Sequence, residues 1–122
     1  MITGIDFRPG SKGQRSSYLV SSLDGVTEAV SNGKSLKKIE SLTESYVACA
    51  WQPATPRQSF LTCRSDGVIC LYDVENDGET DLTYELESMA TCCGFSADGR
   101  HVCVGSIDEN VTVLSCPISK TE

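Results

Sequence analysis

SFLTCRSDGVICLYDV, residues 59–74, consists of two short strand-favouring runs hinged on Ser65-Asp66-Gly67. In such a hinge, an Asp bonds back to local amides while Gly accepts a positive φ, so the stretch reads as a β-hairpin. It also recurs. Phe7, Trp51 and Phe95 stand 44 residues apart, twice over. Each lies in a short apolar run that leads into a turn: TGIDFRPG, VACAWQPA and TCCGFSADG. A second run and an Asp-centred turn follow in YLVSSLDGV, SFLTCRSDGV and HVCVGSIDENV, with Asp24, Asp66 and Asp108 spaced 42 residues apart. A third run follows each turn: VTEAV, VICLYDV and VTVLSC. A fourth, SLKKIES or LTYELES, can be drawn in the first two copies only.

Alternation at period two predicts strands throughout, and no segment carries a persuasive helical period. Four short strands repeated every 42–44 residues are the pattern of a β-propeller blade of the WD-repeat kind. The expected fold is therefore all-β: a partial WD-type propeller of about three four-stranded antiparallel blades, the last incomplete. The blades are expected at about residues 1–43, 44–88 and 89–122.

Tyr72-Asp73 occupies the place where WD repeats carry Trp-Asp, and GFSADGRHVCVGSIDENVTVLS resembles a WD repeat over its first three strands. Only the second copy keeps an Asp after the aromatic. None has the Gly-His pair before its first strand, so the family's Asp–His–Ser/Thr–Trp hydrogen-bond network is not expected. IDFRPGSKGQRSSYLVSSLDGVTEAV, QSFLTCRSDGVICLYDV and MATCCGFSADGRHVCVGS, in that order, resemble consecutive blades of the echinoderm microtubule-associated-protein-like proteins. That resemblance implies a non-enzymatic protein-binding scaffold, with tubulin or microtubules as partner and a cytoskeletal or axonemal setting. The family's N-terminal oligomerisation segment and hydrophobic propeller motif are not found in this sequence. A WD-repeat adaptor of another cytosolic or nuclear complex is the alternative.

Propellers close with roughly four to eight blades, so three cannot form a ring. An open stack exposes apolar faces and unpaired strand edges. The remaining blades are expected from the same or another chain, since repeat units bury their faces only against neighbours.

Composition sets further bounds. At 122 residues, 39% hydrophobic and 22% charged, the chain reads as globular, with material for one modest core. No apolar run approaches membrane-spanning length, and MITGIDFRPG lacks the pattern of a signal peptide, so a cytoplasmic protein without a membrane partner is expected. Residues 1–64 carry eight Lys/Arg against five Asp/Glu, and residues 65–122 carry two against twelve. The acidic second half disfavours nucleic acid as a partner.

Seven cysteines invite a metal or disulfide reading, but no C-x-x-C pair occurs and His101 is the lone histidine. No metal or cofactor is expected. Reduced cysteines within strand runs act as small hydrophobes. A thiol-dependent enzyme would need His101 beside a thiol, and no triad signature surrounds it. NGKS at 32–35 has Glu28 where a phosphate loop needs its first Gly, so Asn-Gly reads as a hairpin turn. Asp24, Asp66 and Asp108 read as turn formers before metal ligands.

With strands lettered A to D outward, the A–B loops and their margins hold Arg8, Lys12, Arg15, Arg57 and Arg100. The opposite loops hold Asp24, Glu44, Asp66, Glu87, Asp108 and Glu109, with Arg64 nearby. Scattered loop charges are ordinarily just solvated. The sharper expectation is that the five basic residues form a protein-binding edge for an acidic partner.

Overall fold

The structure, a computed structural model, describes residues 1–8, 17–31, 33–53, 58–74 and 80–116. Among these, eleven strands form three antiparallel sheets, each ordered as its strands follow in the chain. The first contains β1 (Ile2–Arg8), β2 (Ser17–Ser22), β3 (Val26–Ser31) and β4 (Lys34–Glu40). The second contains β5 (Tyr46–Trp51), β6 (Ser59–Arg64), β7 (Val68–Asp73) and β8 (Thr80–Glu85). The third contains β9 (Ala90–Phe95), β10 (His101–Ser106) and β11 (Val111–Ser115). Contacts between sheets run mainly through their first strands, β1 to β5 and β5 to β9. This is the arrangement of consecutive propeller blades, as the repeat led us to expect.

The three aromatics of the 44-residue repeat occupy one register position. Phe7 pairs with Tyr18, Trp51 with Phe60 and Phe95 with Val102. Continuing across each sheet gives the rows Phe7–Tyr18–Val30, Trp51–Phe60–Tyr72 and Phe95–Val102–Leu114. Because successive side chains on a strand point to opposite faces, these rows define one face of each blade, here called leading. The neighbouring rows Asp6–Leu19–Ala29, Ala50–Leu61–Leu71 and Gly94–Cys103–Val113 define the trailing face.

Two apolar clusters fill the joints. Trp51 and Phe60, on the leading face of blade 2, bury against Leu19 and Ala29 of blade 1, with Tyr72 packed alongside. Leu61, Cys63, Ile69 and Leu71, on the trailing face, bury against Ala90, Val102 and Val104 of blade 3. Blade 2 is covered on both sides, so its central strands are buried without alternation, as in Phe60-Leu61-Thr62-Cys63. Polar pins cross the same joints. The Trp51 N–H donates to Asp6 Oδ2 at 2.7 Å, Thr3 Oγ1 donates to the Tyr46 carbonyl at 2.7 Å, and Gln52 Nε2 donates to the Gly99 carbonyl at 2.8 Å.

The expectation that the thiols behave as small hydrophobes needs correcting for two of the seven. Cys63, Cys70 and Cys116 are buried and Cys49 and Cys93 partly so, but Cys92 and Cys103 are exposed. Cys103 lies on the trailing face of blade 3, which no other sheet among the described residues covers.

Candidate protein-binding surfaces

The β2–β3, β6–β7 and β10–β11 turns lie at the same edge as the starts of the first strands. The Leu23 N–H donates to the Met1 carbonyl, Ser65 N–H to the Ser45 carbonyl, and Ile107 N–H to the Met89 carbonyl. Two of the repeated aspartates close their turns with side-chain bonds. Asp66 Oδ1 accepts from the Val68 N–H at 3.2 Å and from Arg64 Nε at 3.1 Å. Asp108 Oδ1 accepts from the Asn110 N–H at 3.1 Å, and its Oδ2 from Asn110 Nδ2 at 3.0 Å. Asp98 does the same between β9 and β10, accepting from Ser96 Oγ and from the Arg100 N–H. These bonds favour the ionised carboxylates: Arg64 holds Asp66 below the ordinary range, Ser96 lowers Asp98, and Ser106 lowers Asp108. Turn formation thus accounts for Asp66 and Asp108. Among the described residues, no group of three His, Cys, Asp or Glu is placed to hold a metal ion.

This edge is acidic. A groove of about 240 Å³ between β8 and the β10–β11 turn is lined by Glu85, Glu87 and Asp108, with Tyr84 and Asn110. Glu44 joins it further along, accepting from Ser65 Oγ at 3.0 Å.

Of the five basic residues expected at the A–B edge, the described structure includes two, Arg8 and Arg100. Arg8 ends β1 and is partly buried, while Arg100 is exposed in the β9–β10 turn. Both follow the C-terminal ends of first strands, which places them at one edge of the stack. Lys12, Arg15 and Arg57 lie outside the described residues.

A second cavity, about 390 Å³, opens along the first strands, where Asp6, Cys49, Trp51 and Cys93 meet. Its thiols are poorly suited to attack. Burial pushes Cys49 up to about 11. Cys63, at the adjoining joint, is also raised, through its hydrogen bond to Cys93 and its burial. Cys93 is lowered by that same bond, but it faces blade 2, whereas His101 lies on the opposite face of blade 3. Cys103 shares the face of His101 but stands two residues along the strand, roughly 7 Å away, beyond hydrogen-bond reach.

Asp73, in the position of the WD aspartate, ends β7 opposite Ser59 and is 1% exposed. It is held by interactions within the chain, as burial of a carboxylate requires. Sequence reasoning missed Asp6, whose cross-blade bond could have been sought only once β1 was known to lie beside β5.

No family model matches the chain. Two curated relatives do. WD repeat-containing protein 70 of Xenopus tropicalis is 29% identical over 69 residues, and that of Xenopus laevis is 28% identical over 69 residues. Each alignment covers 52% of this chain and 11% of the relative's length. Blade architecture and this similarity together support a WD-repeat nature. WD-repeat homology points in turn to a protein-binding scaffold.

Proposed function

We propose that the chain is a non-enzymatic protein-binding scaffold, contributing blades to a WD-type propeller and presenting its two loop edges to partners. The observation that carries this reading is the uneven distribution of charge between those edges: Arg8 and Arg100 with Asp98 at one, Glu44, Asp66, Glu87 and Asp108 with Arg64 at the other. The framework between them is packed and pinned, so loop residues can vary in charge without disturbing it.

The finer reading is that the A–B edge, with Arg8, Lys12, Arg15, Arg57 and Arg100, docks the acidic surface of tubulin in the cytoplasm. Its support is the resemblance of the three blades to echinoderm microtubule-associated-protein-like proteins. A second reading, an adaptor in another cytosolic or nuclear complex, is favoured by the similarity to WD repeat-containing protein 70. Co-sedimentation with stabilised microtubules separates the two. The first expects pelleting that weakens about tenfold or more when Arg8, Arg15, Arg57 and Arg100 are changed together to Glu, a loss of roughly 1.4 kcal/mol. Absence of pelleting favours the adaptor, and pelleting indifferent to the four substitutions removes the A–B edge as the docking surface.

A further inference from the structure

We infer that Cys63 and Cys93 form an oxidation site, a thiol pair that a hydroperoxide converts into a disulfide fastening blade 2 to blade 3. All seven cysteines are free in the structure. Two of them meet. Cys63 shares the trailing face of blade 2 with Leu61, and Cys93 shares the leading face of blade 3 with Phe95. Both side chains therefore enter the same joint, where Cys93 packs against the cluster that contains Cys63. There the Cys63 thiol donates a hydrogen bond to Cys93.

The repeat explains how this contact arises. Cys63 stands 42 residues after Ser21, and Cys93 stands 44 after Cys49, the two spacings that relate one blade to the next. In the joint between blades 1 and 2 the same two positions also touch, through a hydrogen bond between Ser21 and Cys49. The contact is thus a product of the stacking and is made twice. A hydroxyl facing a thiol cannot be bridged by oxidation, whereas two thiols can. The exposed thiols have no such partner: across the β9–β10 pairing Cys92 stands opposite Gly105, and Cys103 opposite Gly94. Cys92 and Cys93, adjacent in β9, point to opposite faces of the sheet.

An oxidant reaches the pair from one side. Cys63 is 0% exposed, but Cys93 is half-buried and lines the cavity of about 390 Å³ along the first strands. The bond from Cys63 also holds Cys93 below the ordinary thiol range, so the Cys93 thiolate reacts first. Its sulfur attacks one peroxide oxygen. The S–O bond forms as the O–O bond breaks, and the departing hydroxide or alkoxide takes up a proton. The Cys63 sulfur then attacks the Cys93 sulfenic acid. The S–S bond forms, the S–O bond breaks, and hydroxide leaves with the Cys63 proton as water. Two thiols lose two electrons in all, and hydrogen peroxide becomes two waters. His101, on the opposite face of blade 3, does not serve the pair. The reaction is accordingly a single event, reversed by a dithiol.

Peptide mapping tests this. The folded 122-residue chain is treated with a stoichiometric amount of hydrogen peroxide, its free thiols are alkylated in denaturant, and the peptides are read by mass spectrometry. A Cys63–Cys93 linkage is expected, removed by dithiothreitol, absent from Cys63→Ser and Cys93→Ser, and retained in Cys92→Ser. Serine suits position 63, because Ser21 fills the equivalent site at 0% exposure. Ser21→Cys should create a second bridge, to Cys49, in the joint between blades 1 and 2. Hydrogen exchange on the wild-type chain needs no variant: amides of β9 and β10 should exchange about tenfold or more slowly after oxidation. Four results would overturn the inference: Cys63 still free while other thiols are oxidised, Cys93 linked to Cys92 instead, a Ser21→Cys chain with no bridge to Cys49, or exchange in blade 3 unchanged by the bridge. The scaffold reading is separate, since it concerns the loop edges and is tested by partner capture with the chain reduced.

Discussion

Replacing Phe60 with alanine is expected to destabilise the chain by about 3–5 kcal/mol, the usual range for removing a fully buried phenyl ring. Phe60 is 0% exposed and lies at the centre of the blade 1–blade 2 joint. Its ring stands edge-on to Trp51 and tilted against Tyr72, at 5.7 Å from each. The alanine would leave a void bounded by rigid sheet on both sides, which cannot collapse to fill it. Phe7→Ala is the control, because Phe7 holds the register position of Trp51 but faces outward. It should shift stability by less than about 0.5 kcal/mol in dilute solution, as expected of a surface site. Urea unfolding followed by tryptophan fluorescence reads both. A Phe60→Ala cost below about 1 kcal/mol would mean that the two blades do not pack as described.

Gly67→Val should cost about 3 kcal/mol or more in the same assay, from two separable sources. Gly67 adopts φ +91, a left-handed conformation that a β-branched residue enters only with strain of about 1–3 kcal/mol. A Cβ there would also lie 2.8 Å from the Leu86 carbonyl oxygen and 3.1 Å from that of Ser88, both backbone atoms. Gly67 and Leu86 tie the β6–β7 turn to the end of β8, the Leu86 N–H donating to the Gly67 carbonyl at 2.8 Å. Gly33 separates the two sources. Its φ is +76, yet a Cβ would meet nothing within 4 Å, so Gly33→Ala should show strain alone, about 1 kcal/mol. Blade 3 places Glu109 at the equivalent point with φ +68. Glu109→Gly should therefore stabilise the chain by about 1 kcal/mol.

Much of this architecture was legible in the sequence because a blade is a local object. Its strands follow one another, its turns carry Asp at a fixed offset with Gly after it in two copies, and one aromatic marks the same register position in each copy. Hence Phe7, Trp51 and Phe95 were equated correctly. What they pack against was not legible, because periodicity gives all three the same address and burial depends on whether a neighbouring blade exists. The same reason separates buried Cys63 from exposed Cys103. Asp6 escaped notice because its partner, the Trp51 N–H, is 45 residues away across a joint. Loop order alone assigns an edge once the strands are placed, as it does for Arg8 and Arg100 at one edge and Asp66 and Asp108 at the other.

The central claim is that blade 2 lies between blades 1 and 3, with its leading face on one and its trailing face on the other. Methyl and aromatic NOE spectroscopy tests it most directly. The rings of Trp51 and Phe60 should show contacts to the methyls of Leu19 and Ala29, while Leu61 and Leu71 should show contacts to Val102 and Val104. Contacts from Leu61 or Leu71 to Leu19, or from Phe60 to Val104, would place both neighbours on the wrong faces and contradict the stacking.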